Sequence, residues 1–216
     1  MGRFFAALSV LLVAACGGSA AGGLSIGGGP PSAQTVAAND SDWSGLHKCP
    51  ESGSYDSYLK VEKDKSPDQY QSDKTNWDDL KAAGANDSYV AVYADNTSNC
   101  GEFGAATPGG SPGKIVYVYA FRFKDAGSAG SNYKANAKDF HVSDSEVSQL
   151  KAAGATVKQG KDTGLSDNAI ELTIAVEGAS VFVAFWQNKS FEVAMVTLNE
   201  DSVSAQAASK INGRIE

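Results

Sequence analysis

Nine residues, Ile115-Val-Tyr-Val-Tyr-Ala-Phe-Arg-Phe123, restrict the possible folds more than any other stretch of the chain. β-Branched and aromatic side chains dominate, and the period is two, so the segment predicts a strand. Ile115, Tyr117, Tyr119, Phe121 and Phe123 share one face, and Val116, Val118, Ala120 and Arg122 share the other. A strand apolar on both sides has to be covered, at least in part, on both. Three more strand patterns follow in quick succession at 169–176, 181–187 and 191–198. Connections of three or four residues make them a hairpin meander. Residues 89–94 read as another strand and 156–159 as a short one.

Helix signals fill the intervals. Asp73 or Thr75 can cap a helix that carries Trp77 and Leu80 three apart and stops at Gly84. Asp125 caps a helix over 126–138 with a thin apolar stripe. Ser143-Asp-Ser-Glu146 is a capping box, in which side chains satisfy the first free amides, and its helix ends at Gly154. Asp201 or Ser202 opens a last helix whose Val203, Ala207, Ile211 and Ile215 suit docking on the sheet. Residues 43–71 contain Tyr55, Tyr58 and Tyr70 without a clean period. Leu80-Lys-Ala-Ala-Gly-Ala85 recurs as Leu150-Lys-Ala-Ala-Gly-Ala155, which a duplicated half-domain or simple helix-stopping composition would produce. The expected fold is one α+β domain over 43–216, a mostly antiparallel sheet of five or six strands with helices packed on it.

Arg3 followed by the apolar run 4–15 and small residues reads as a secretory signal, too short to span a membrane. Val13-Ala14-Ala15-Cys16 resembles the lipobox of bacterial lipoproteins. The resemblance implies removal of 1–15, acylation of Cys16, a lipid bilayer as partner, and a place on the extracytoplasmic face of a bacterial membrane. Residues 16–42, rich in Gly, Ala, Ser and Pro, then read as the lipidated N-terminus and a flexible tether. With Cys16 so assigned, Cys49 and Cys100 remain as an even pair in an oxidising compartment, and a disulfide is expected between them. The strand ending Phe121-Arg-Phe-Lys-Asp125, the helix after it, the meander and the final helix resemble small extracytoplasmic domains of bacterial lipoproteins. PsbP/Mog1-like and cystatin-like α+β folds have such layouts, and no functional residue carries over from them.

The formal charge is −7, and loss of Arg3 leaves 17 basic against 25 acidic side chains. No Lys/Arg cluster interrupts this balance, which argues against nucleic acid as a partner. Gly109-Gly-Ser111-Pro-Gly113 matches a nucleophile-elbow pattern, but it precedes a strand instead of a helix, and Pro112 removes a usual oxyanion donor. His47 and His141 have no second histidine or cysteine at ligand spacing. Asp95 to Glu102 is rich in oxygen ligands but lacks EF-hand spacing, and Asp162, Asp167 and Asn168 are ordinary turn residues. No catalytic, cofactor or metal set is therefore assigned. Trp43, Trp77, Trp186, Tyr55, Tyr58 and Tyr70 are the remaining resource, as core or as the lining of a cleft. The reading favours a non-catalytic binding or accessory module with an unknown small-molecule or protein partner. The alternatives are an extracytoplasmic hydrolase and a structural cell-envelope protein.

Overall fold

The computed structural model describes residues 30–100, 113–136, 144–176 and 179–215. Seven strands form one sheet: β1 His47–Lys48, β2 Ala85–Ala94, β3 Ile115–Phe123, β4 Thr156–Gln159, β5 Asn168–Val176, β6 Ala179–Asn188 and β7 Phe191–Leu198. Their spatial order is β1-β2-β3-β7-β6-β5-β4, and all neighbours are antiparallel. The α+β class and the antiparallel sheet are as expected. The strand beyond the expected five or six is β1, two residues facing Ala94 and Tyr93. Two residues cannot show a period, so only pairing reveals them.

Helices cover both faces. On the first face lie α2 Tyr55–Lys65, α3 Pro67–Ala82 and α4 Ala126–Asn136, with α5 Asp144–Ala152 beside β4. On the second lie α1 Ala33–Ala37 and α6 Asp201–Gly213. The period-two split of β3 holds: Phe121 and Phe123 pack in the first layer, Val116, Val118 and Ala120 in the second. Among the described residues, no helix is long and apolar enough to cross a membrane.

The N-terminal boundary differs from the sequence reading. The folded body begins about ten residues before Trp43, because α1 is part of the core. Ser32 caps it, its hydroxyl accepting from the Thr35 amide at 3.1 Å, and Ala33, Val36 and Ala37 are fully buried on the second face. The Asp87 carboxylate accepts the Ala33 N–H at 2.8 Å. At the other end, Arg214 donates through Nε and an Nη to the Val36 carbonyl and pairs with the buried Asp42 at 2.8 Å. A five-residue helix of small residues is too short to be stable or periodic by itself, so its order is tertiary. Residues 1–29, which include the signal and Cys16, lie outside the described residues.

Two other boundaries move for identifiable reasons. Segment 55–65, which has no clean period, is a helix capped by Ser54, with Lys63 and Lys65 in its last turn. Helix α3 starts at Pro67, at the N-terminal position proline favours, so Asp73 and Thr75 lie mid-helix and cap nothing. Asp125 does cap α4, its Oδ1 accepting from the Ser128 amide at 2.6 Å. Gly84 and Gly154 end α3 and α5 at φ +108° and +88°, conformations that favour glycine. Ser143 of the capping box lies outside the described residues.

Candidate functional site

The most chemically unusual region forms where α2 and α3 meet β3. Helical spacing puts Tyr55, Tyr58, Leu59 and Glu62 on one side of α2, and Asp73, Asn76, Trp77 and Leu80 on one side of α3. These stripes close over the aromatic row of β3. Tyr55 packs against Trp77 and Phe121 at ring separations of 5.5 and 5.3 Å. Tyr58 meets Tyr119 edge-on at 6.1 Å, with their hydroxyls 3.4 Å apart. Tyr117 stacks beside Tyr119, and the Trp77 indole N–H donates to Asp56 at 2.8 Å.

A carboxylate pair lies within this cluster. Glu62 has no exposed surface, and Asp73 is also buried. The Gln69 amide donates to Asp73 Oδ1 at 2.9 Å, but among the described residues no N–H or neutral O–H donor reaches either Glu62 oxygen. The group against Glu62 is Asp73 itself. Two buried carboxylates in contact cannot both ionise cheaply. Burial and then the Asp73 charge push Glu62 up to about 8. Burial raises Asp73 as well, and the bonds from Gln69 and Glu62 partly restrain it. At neutral pH Glu62 is therefore the acid of the pair and donates its proton to Asp73. Burial also pushes the Tyr55, Tyr58 and Tyr119 hydroxyls upward, so they remain neutral.

Another buried carboxylate, Glu192 on β7, lies under α4. Both its oxygens accept from the Asn132 amide at 3.0 Å, and burial pushes it up to about 8 against that bond. Farther along the same face, Tyr117, Tyr119, Val181, Ala194, Val196 and Leu198 are only half-buried. The register places Tyr117 opposite Val196 and Ile115 opposite Leu198, and Leu198 opposite Val181. These side chains make a continuous apolar floor with tyrosines along one margin.

The residues singled out in the sequence fare differently. Cys49 and Cys100 form the expected disulfide, with Cα atoms 5.5 Å apart. Their sulfurs lie near the Glu51 carboxylate. His47 is exposed in β1. The loop after β2 satisfies its own polar groups: Asn99 donates to Asp95 at 3.0 Å, and Asn96 accepts from Ser98. Asp167 is exposed and 3.8 Å from Lys161. Trp43, Trp77 and Trp186 are all buried, so they build core and line no opening. Ser111, His141 and Glu102 lie outside the described residues. Sequence reasoning missed Glu62, Asp73 and Glu192. The available signal was an acid at an inward position, within a helical stripe for the first two and within a doubly apolar strand for Glu192.

A glycosidase holds its two acids roughly 5–9 Å apart, and an aspartic protease lets two carboxylates share one proton. In both the acids face substrate, whereas Glu62 has no exposed surface.

No protein-family model matches this chain, and no curated protein does. Among solved structures, the extracellular domain of PknH from Mycobacterium tuberculosis is similar with a TM-score of 0.48 at 13% identity, covering 88% of this chain and 98% of that one.

Proposed function

We propose that this chain is a non-catalytic binding or accessory module held on the extracytoplasmic face of a bacterial membrane by acylated Cys16. The observation that carries the binding role is the half-buried floor of Tyr117, Tyr119, Val181, Ala194, Val196 and Leu198. Apolar side chains on a covered sheet are normally enclosed, and a floor left partly open suits an apolar or aromatic group of a ligand or partner. The Cys49–Cys100 bridge supports the location, since structural disulfides persist in oxidising compartments. The lipobox resemblance at Val13–Cys16 supports the anchor.

Binding at the floor is tested by thermal-shift and calorimetric titration of the mature protein with a panel of fatty acids, phospholipid headgroup analogues, muropeptides and aromatic amino-acid peptides. The expected result is that one chemical class raises the wild-type melting temperature and Val196→Arg, which places a charge on the floor, abolishes the shift. If no class binds, or if the variant binds as well as wild type, the reading fails.

A further inference from the structure

We propose that the α2–α3 hairpin is an acid-closed flap: one proton shared between Glu62 and Asp73 holds its two helices together over β3, and loss of that proton releases it. The argument begins with geometry. The hairpin is tied at its entry, where Gly53 exchanges both backbone hydrogen bonds with Val90 at 2.8 and 3.0 Å and Cys49 is bridged to Cys100. At its exit, Gly84 turns the chain at φ +108°. Between these ties, the hairpin lies on the sheet through the aromatic cluster around Tyr55, Trp77 and Phe121. Glu62 and Asp73 stand on different helices of the hairpin, so their contact draws α2 and α3 together directly over that cluster.

The surroundings of the pair leave few alternatives. From α2 it is faced by Tyr55 and Tyr58, from α3 by Gln69, and from β3 by Tyr119. On β2 the inward residues are Ser88, Val90, Val92 and Ala94, none of them titratable. The lysines of the hairpin lie away from the pair: Lys60 and Lys65 are exposed, Lys63 lies over the Tyr70 ring at 5.8 Å, and Lys74 and Lys81 both pair with the exposed Asp78. Among the described residues, no ammonium or guanidinium group is positioned to neutralise a second carboxylate charge. A shared proton removes that charge and creates an acid-to-carboxylate hydrogen bond. When the hairpin opens, Glu62 returns to water and to its ordinary acidity, so the closed form binds one proton more than the open form. The balance therefore shifts toward the open form as pH rises from the ordinary glutamate range toward 8, and levels off above it. Opening would uncover Tyr55, Tyr58, Tyr119 and Phe121.

Amide hydrogen exchange of the mature protein from pH 5 to 9, corrected for the intrinsic pH dependence of exchange, measures this equilibrium. Protection of α2 and α3 amides should fall by up to about tenfold per pH unit toward pH 8, with a smaller change in the β3 amides beneath. Glu62→Gln, which supplies a permanent amide donor to Asp73, should keep the hairpin protected and remove the slope. Should that variant not fold, Asp73→Asn reads the same equilibrium, and its slope should end at a lower pH. A flat wild-type profile would overturn the proposal, as would a slope surviving in Glu62→Gln or a profile unchanged in Asp73→Asn. Restoration of wild-type protection at pH 8 by millimolar Ca²⁺, absent in Glu62→Gln, would also overturn it, since the pair would then be holding a metal ion and not a proton.

Discussion

Glu192 shows what one buried acid does to this protein. It lies in β7 between Phe191 and Val193, and its carboxylate is turned toward Asn132 on α4. Because burial raises it to about 8, the native protein keeps a proton that the unfolded chain has released. Stability from this residue is therefore greatest below the unfolded pKa of about 4.5, falls as pH rises toward 8, and is constant beyond. The slope within that window is at most about 1.4 kcal/mol per pH unit. Glu192→Gln should flatten the pH dependence of urea unfolding between pH 5 and 8 by up to that amount, and equal slopes in the two proteins would refute the assignment. In sequence, Glu192 is simply an acid within an apolar run. That the run is inward-facing on both sides was legible. Which partner awaited the acid was not, because Asn132 is sixty residues away on another element.

At the scale of elements, the strongest local signals held. The bounds of β3 agree residue for residue with the predicted strand, and the meander β5–β6–β7 follows from its short turns. The repeated Leu-Lys-Ala-Ala-Gly-Ala builds the same junction twice: a helix end, a positive-φ glycine, then a strand beginning at Ala85 or Thr156. Beyond the junctions the wiring differs, with two strands before α4 but four before α6. Shared capping chemistry accounts for the recurrence, and the two stretches that follow do not have matching element orders. Helices α1 and α2 were not legible, the first for its length and the second because its stripe mixes tyrosines with an acid. The disulfide acts at this scale too. It joins the segment leading into α2 to the loop after β2, across a sequence separation of 51. In the chain-entropy account, closing such a loop contributes about 4 kcal/mol. Cys49→Ser/Cys100→Ser should lose stability of that order in urea unfolding, with the earliest loss of protection in α2. An unchanged midpoint would contradict this.

For the whole molecule, the N-terminal arm decides how the body relates to anything attached upstream. The Asp87 and Arg214 contacts hold α1 against the second face, and fifteen residues of sequence separate Cys16 from the Ser32 cap. Cys16→Ala should move the protein from the membrane to the soluble fraction and remove the lipid mass, and an unchanged membrane fraction would defeat the anchoring proposal. The sequence by itself determined the α+β class, the central strand, the meander, the last helix and the cysteine pairing. Each of these rests on period, capping chemistry or counting, which are local or arithmetic properties. Only the tertiary structure decided that α1 belongs to the core, that the tryptophans are enclosed while Tyr117 and Tyr119 are not, and that Glu62 meets Asp73. Those outcomes depend on which side chains from distant segments exclude water together. An acid on an apolar stripe looks the same in sequence whether it meets a lysine, an amide or another acid.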